Sequence, residues 1–345
     1  MKLKSVEIKG LWGKENIKWN LDPRVNILTG INGAGKSTIM DLIAFVITTN
    51  YLPKEFVTKV EQINVELDNK DMLRCLSFND TLLKLKQKAE QNSVFRDLWE
   101  DVSRDIPMTE RRLRRLNRMG ITASVSYLKR KTELIPLSET YFEHVNVDIV
   151  STFDSELPSD IDQGRYNSLK KQGVRSPLDK ELHDLQEKYA FYLGGLATRM
   201  EQYVKKGNLV DKEYVDSLYA QKNLFVKIVN EMFEESNKHI DIDNSRLEFV
   251  LNDEKKHISM YELSSGEKQL LYILMTVLME ERQEYVLFMD EPEISLHVDW
   301  QENLIEKIFL LNPNCQIMIA THAPSLLLGG WHGFVTNIAD IKSVK

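Results

Sequence analysis

Cysteine is almost missing from this chain of 345 residues: only Cys75 and Cys315 occur, far apart and without the spacing of metal ligands. That rules out a disulfide framework and fits a reducing compartment. A basic excess is missing too. Lys and Arg number 45 against 52 Asp and Glu, a formal charge of −7. The chain as a whole is therefore not a general nucleic-acid binder, although a local basic patch stays open. Long apolar runs are absent. The most apolar, Leu270 to Met279, spans 10 residues, and a bilayer helix needs about 20. The start, Met1 to Glu7, lacks the apolar stretch of a signal peptide. These absences predict a cytoplasmic protein that does not enter a membrane.

What is present begins with Gly30-Ile31-Asn32-Gly33-Ala34-Gly35-Lys36-Ser37-Thr38. The residues before it, 24–29, read as a strand, and 36–48 read as a helix with Ile39, Leu42, Ile43 and Val46 on one side. Strand, glycine loop and helix in that order form a phosphate cradle. The glycines let backbone N–H groups turn toward phosphate oxygens. Lys36 would sit between the β- and γ-phosphates, and the Ser37 hydroxyl would ligate Mg²⁺. The helix N-terminus adds a favourable dipole.

Three further blocks lie more than two hundred residues downstream. Asp290 and Glu291 end the apolar strand 285–289. Two carboxylates are costly at a buried strand end unless they have work to do. Asp290 would hold Mg²⁺ through a water, and Glu291 would polarise the attacking water. Thr321 and His322 follow a second apolar strand, 316–320, and His322 can donate to the γ-phosphate. Leu263-Ser264-Ser265-Gly266-Glu267 precedes an apolar helix. Here two readings stay open: an ordinary N-cap by Ser264 or Ser265, or a loop offering Ser264 and Gly266 to a γ-phosphate.

The middle of the chain is less explicit. Segments 60–68, 121–128 and 144–151 alternate as strands beside the nucleotide loop. Residues 80–118 are charged and predicted helical, ending in Arg111, Arg112, Arg114, Arg115 and Arg118. That cluster could be a solvated basic helix, a nucleic-acid contact or a site for an acidic protein. Residues 154–177 read as a linker. From Leu178 to Tyr203 apolar residues step by three and four, broken by Gly194-Gly195. A second helix follows, with Val215, Leu218, Phe225, Val229 and Met232. Each helix is expected to be roughly 40 Å long. Together they form a short hairpin, packed on the core or offered to a partner. The implied division is 1–153, linker 154–177, hairpin 178–238 and a second part of the head, 239–345.

These motifs resemble an ATP-binding-cassette-type ATPase of the RecF and SMC branch. More narrowly, they resemble the compact AAA-family ATPases of the OLD-like kind found in bacterial defence and retron operons. The resemblance rests on Thr29 to Thr38, Leu263 to Gln269, Leu287 to His297 and Ala320 to Pro324. It implies an α/β P-loop head with an antiparallel lobe and helical inserts. It also implies ATP and Mg²⁺, a homodimer with ATP at the interface, and slow, regulated hydrolysis. Carried onto this sequence, Asn32, Gly33, Ala34, Gly35, Lys36, Ser37 and Thr38 bind nucleotide, and so does the signature loop of Ser264, Ser265, Gly266 and Glu267, with Ser264 and Gly266 acting in trans. Glu291 is catalytic, Ser295 to His297 cross the interface, and His322 is the switch histidine. The glutamine that such heads carry after a lobe strand has no match near Thr152 to Ser155. No nuclease-like metal cluster follows residue 330, so the resemblance implies an effector, nuclease or toxin, on a separate chain. A RecF-like repair ATPase is the alternative. A transporter ATPase is disfavoured by the helical insert and by Glu291-Pro292-Glu293-Ile294-Ser295-Leu296-His297.

Overall fold

In the computed structural model, the described residues are 1–48, 60–77, 123–129, 133–135, 146–150, 173–242 and 246–344. Three sheets organise them. The first is antiparallel and built on strands β1 (Leu3–Leu11), β2 (Glu15–Asn20), β4 (Gln62–Leu67), β5 (Met72–Ser77), β6 (Ala123–Lys129) and β7 (Glu133–Ile135), with β15 (Lys342–Val344) at one edge. Its order is β15-β2-β1-β4-β5-β6-β7. The second is parallel: β3 (Val25–Thr29), β8 (Asn146–Val150), β12 (Tyr285–Asp290), β13 (Cys315–Ala320) and β14 (Val335–Asn337), in the order β14-β3-β13-β12-β8. A small third sheet orders β11 (Lys256–Ser259), β10 (Glu248–Leu251) and β9 (Lys238–Ile240).

The parallel sheet is covered on both faces, which explains its near-continuous apolar strands. Leu28, Val286, Phe288, Met318 and Ala320 face α1 (Lys36–Thr48) and the antiparallel sheet. Val25, Ile27, Leu287, Met289, Ile317 and Ile319 face a helical layer. That layer holds α2 (Pro177–Lys205), α3 (Lys212–Met232), α4 (Ser265–Met279) and α5 (Val298–Leu311). The buried side chain of Gln316 joins the layers. Its amide donates to the Leu3 and Asp22 carbonyls, both at 2.8 Å, and its oxygen accepts from the Leu3 amide at 2.7 Å.

Several sequence expectations change. The helix at 177–205 runs unbroken through Gly194 and Gly195, because propensity at two glycines is a small term against a buried stripe. It is roughly 43 Å long and α3 roughly 31 Å, so the two are unequal. The helix starts at Pro177, inside the expected linker. Ser176 caps it, and Asp179 completes a capping box. The stripe Leu178, Leu182, Leu185, Tyr189, Tyr192 and Leu196 packs mainly on the signature helix α4, while the tip of the pair is closed by Tyr203 stacked on Tyr214 at 3.6 Å. The stretch after Trp331, which reads in the sequence as a short tail, joins the two large sheets. It forms β14, α6 (Ile338–Ile341) and β15, extending both. The arginine-bearing segment and Thr152 to Ser155 lie outside the described residues. Among the described residues no helix is long and apolar enough to cross a membrane.

Candidate functional site

The three strands that run into the site are neighbours: β3, β13 and β12 pair in parallel, so their C-terminal ends open on one edge. That is where parallel sheets hold ligands. β3 delivers the Gly30–Lys36 loop and α1. Gly33 and Gly35 adopt φ of +74° and +96°, which side chains resist. A methyl group on Gly35 would reach 2.1 Å from the Trp12 ring, so that turn residue lies directly on the loop. Its partner Lys342 donates to the Ala34 carbonyl at 2.9 Å, pairs with Glu15 at 2.8 Å and lies 5.2 Å from the Trp12 ring. Ile338 fills the space beside Gly30. Trp12, Ile338 and Lys342 were not assigned to the loop by its motif.

β12 delivers Asp290 and Glu291. The Ser37 hydroxyl donates to Asp290 Oδ1 at 2.9 Å, across 253 positions of sequence. These two hard oxygen donors, side by side at the head of α1, fit a Mg²⁺ ion. Burial raises the Asp290 carboxyl above the usual range, and the Glu291 charge adds to this, while the Ser37 hydrogen bond opposes it. Glu291 itself sits at φ +45°, an uncommon conformation for a side-chain-bearing residue. Its amide is held by the Ala320 carbonyl at 2.8 Å. Backbone strain of this kind collects at functional sites.

β13 delivers Thr321, wholly buried, and His322, exposed. The Lys36 ammonium donates to His322 Nε2 and to the Gly30 carbonyl at 3.3 Å. His322 Nε2 lies 3.5 Å from Glu291 Oε1. Lys36 is only 4% exposed, and that burial lowers its pKa, against the charges of Glu291, Asp290 and Glu293. An ammonium, an imidazole and two carboxylates thus converge from three strand ends. The arrangement can hold a phosphate chain, screen its charge and activate a water.

The signature block is arranged differently. Ser264 caps α4: its hydroxyl accepts from the Glu267 amide at 3.3 Å, and the Glu267 carboxylate accepts from the Ser264 amide at 2.8 Å. Glu267 is 2% exposed and pairs with Lys238 at 2.7 Å, so its side chain is turned inward. Ser264 and Ser265 face outward, at the N-terminus of a helix of 15 residues. A methyl group on Gly266 would lie 2.2 Å from the Ser295 carbonyl, so the signature turn rests on the 291–297 loop. Asn32, Gly33 and Ile31 are also exposed, Ile31 at 82%. Thr38 is half-buried beside Ser37.

Comparison with known proteins follows this geometry. Residues 25–328 match the family model described as "AAA domain, putative AbiEii toxin, Type IV TA system". A "Retron Vc95 probable ATPase" of Vibrio cholerae is 25% identical over 184 residues, which is 50% of this chain and 34% of that protein. This chain thus spans about a third of that relative. An "ATP/GTP phosphatase" of Helicobacter pylori is 21% identical over 94% of this chain and 86% of its own length. "Septu protein PtuA" of Bacillus thuringiensis is 21% identical over 94% of this chain and 72% of its own length. Among solved structures, an SMC head bound to the C-terminal winged-helix domain of ScpA superposes with a TM-score of 0.55 at 13% identity. It covers 100% of this chain and 98% of the other. That likeness shows the fold, an ABC-type head, and the match over 25–328 shows the kinship: the chain belongs to this AAA-domain ATPase family.

Proposed function

We propose that the chain binds ATP with Mg²⁺, hydrolyses it, and works as a dimeric switch in a bacterial antiviral system whose effector is a separate chain. One observation carries the ATPase part: Lys36, Ser37, Asp290, Glu291 and His322 meet at adjoining strand ends. The glycine loop takes the phosphates, and Trp12, whose ring packs beside Gly35, would stack on the base. Ser37 and Asp290 would hold Mg²⁺, which when bound neutralises charge on the phosphates. Glu291 takes the proton of the attacking water, and His322 donates to the transferred phosphoryl group. Asn32, Ala34 and Thr38 complete the cradle and its helix.

Dimerisation is supported by what faces outward. Ser264 and Ser265 stand exposed at the capped N-terminus of α4, and Ile31 and Ile294, 82% and 44% exposed, present apolar surface on the loops that follow β3 and β12. Such groups suit contact with the nucleotide and loops of a second copy. The defence role and the separate effector are supported by relatives named for a retron and for the Septu system.

The test is a pair of variants assayed for ATP hydrolysis and for mass in solution. Glu291→Gln is expected to abolish turnover and accumulate an ATP-bound dimer. Ser264→Arg is expected to block that dimer and lower turnover. Wild-type hydrolysis by the Gln variant sinks the catalytic assignment, and an unaltered dimer in the Arg variant sinks the contribution in trans. Co-purification from the native operon then identifies the effector.

A further inference from the structure

Three residues beyond Asp290 stands another carboxylate, Glu293, which the motif leaves without a task. Its Oε1 accepts from the Thr321 hydroxyl, from the His322 amide at 3.2 Å and from the Ala323 amide at 3.2 Å. Thr321 Oγ1 in turn accepts from the Ala323 amide at 2.8 Å. These are the first polar groups after β13 ends, where the ladder no longer satisfies the backbone. One oxygen therefore fixes the turn that carries His322. A charged acceptor makes these bonds stronger than neutral ones.

Glu293 is itself held on the other side. Its carbonyl accepts from the Leu296 amide at 3.0 Å and from Gln301 Nε2 at 3.3 Å. Gln301 Nε2 also donates to the Leu296 carbonyl at 2.8 Å, and Gln301 Oε1 accepts from the Ser325 hydroxyl. The 291–297 loop and the 321–325 loop are thereby tied into one body, with Glu293 as the tie nearest the histidine.

We propose that Glu293 is a positioning residue for hydrolysis: by gripping Thr321, His322 and Ala323 it keeps the imidazole beside Glu291 and Lys36. The inference rests on the ATPase reading above. It predicts that the loop facing a second copy and the histidine facing the chain's own nucleotide move together, because Glu293 belongs to one and holds the other.

Steady-state ATPase kinetics test it. Glu293→Ala is expected to lower kcat about tenfold, with KM for ATP changed less than about twofold. Glu293→Gln is expected to recover most of the loss, since an amide oxygen can accept the same donors. In a His322→Ala background, Glu293→Ala is expected to add little, because it acts through the histidine. Thr321→Val removes one donor from the grip and is the second probe if the alanine variant does not fold. It should lower kcat in the parent and not in the His322→Ala protein. Unchanged kcat, a KM that rises as kcat falls, a Gln variant as slow as the Ala variant, or full additivity with His322→Ala would each overturn the proposal. Glu291→Gln is the control. If it is inactive while Glu293→Ala is normal, this inference alone fails; if it is active, the ATPase assignment fails first.

Discussion

At the scale of single residues, the site combines what a motif states with what only folding reveals. Lys36, Ser37, Asp290, Glu291 and His322 could be named in the sequence because their chemistry is confined to few residue types at strand ends. The Ser37–Asp290 hydrogen bond at 2.9 Å spans 253 positions, yet both partners were legible from their own surroundings. Trp12 was not. Its value comes from a turn that drops the indole onto Gly35, and no local pattern encodes that distance. The same holds for Glu293, whose donors lie about 30 positions away in another loop. Trp12→Ala is expected to raise KM for ATP about tenfold while kcat changes little, as loss of a stacking face removes binding common to ground and transition states. Steady-state kinetics, with a fluorescent nucleotide as a direct binding probe, check it. A kcat loss without a KM change would place Trp12 in loop geometry instead.

At the scale of elements, the signature helix α4 is the hub. Its first turn is anchored by two ion pairs of low exposure. Glu267 reaches Lys238 on β9 at 2.7 Å, and Lys268 reaches Asp179 in the first turn of α2 at 2.8 Å. Burial pushes the Asp179 carboxyl up, but Lys268 and the Arg175 and Ser176 groups more than offset this and hold it below the ordinary range. A depressed carboxyl stabilises the fold above its unfolded pKa and loses that contribution as pH falls. Lys268→Met leaves Asp179 buried and unpaired, and is expected to destabilise the protein by about 3 kcal/mol. Urea denaturation at neutral pH measures this. Restoring stability with Asp179→Asn in the same chain would show that the cost lies in the orphaned charge. The three-and-four spacing at 178–203 predicted an amphipathic helix, and the structure has one. It could not say which surface receives it, since a stripe of leucines and tyrosines fits any apolar helix. Nor did it predict continuity through Gly194-Gly195, because packing on α4 outweighs local propensity there.

At the scale of the whole molecule, the fold was legible through its strands more than its helices. Apolar runs at 285–289 and 316–320 and the strand at 24–29 that leads into the glycine loop were legible, and all three adjoin in the parallel sheet. The segment after Trp331 left no strand pattern in the sequence because β14 and β15 are short, and each is stable only on a strand made hundreds of residues earlier. Two neighbouring carboxyls, Glu280 and Asp148, are expected to make stability depend on pH. Glu280, at the end of α4, is pushed up to about 7, first by burial and then by Asp148 on β8, with Lys188 on α2 opposing. A carboxyl with a raised folded pKa holds its proton longer when folded than unfolded, so stability falls as pH rises from about 5 to about 7 and then levels. Melting curves across that window should show this decline, and Glu280→Gln should flatten it. A wild-type profile that rises instead would reverse the assignment.

Interleaving of the sheets has a further consequence, for biosynthesis. β3, which carries the nucleotide loop, finds its ladder partners in β13 and β14, residues 315–337. The loop therefore leaves a ribosome well before the strands that form its platform. Until then β3 and α1 expose apolar faces, the situation in which nascent chains call on chaperones. A cradle assembled in this order cannot take its final form while residues 315–337 are still unmade: it closes only after they have joined the sheet.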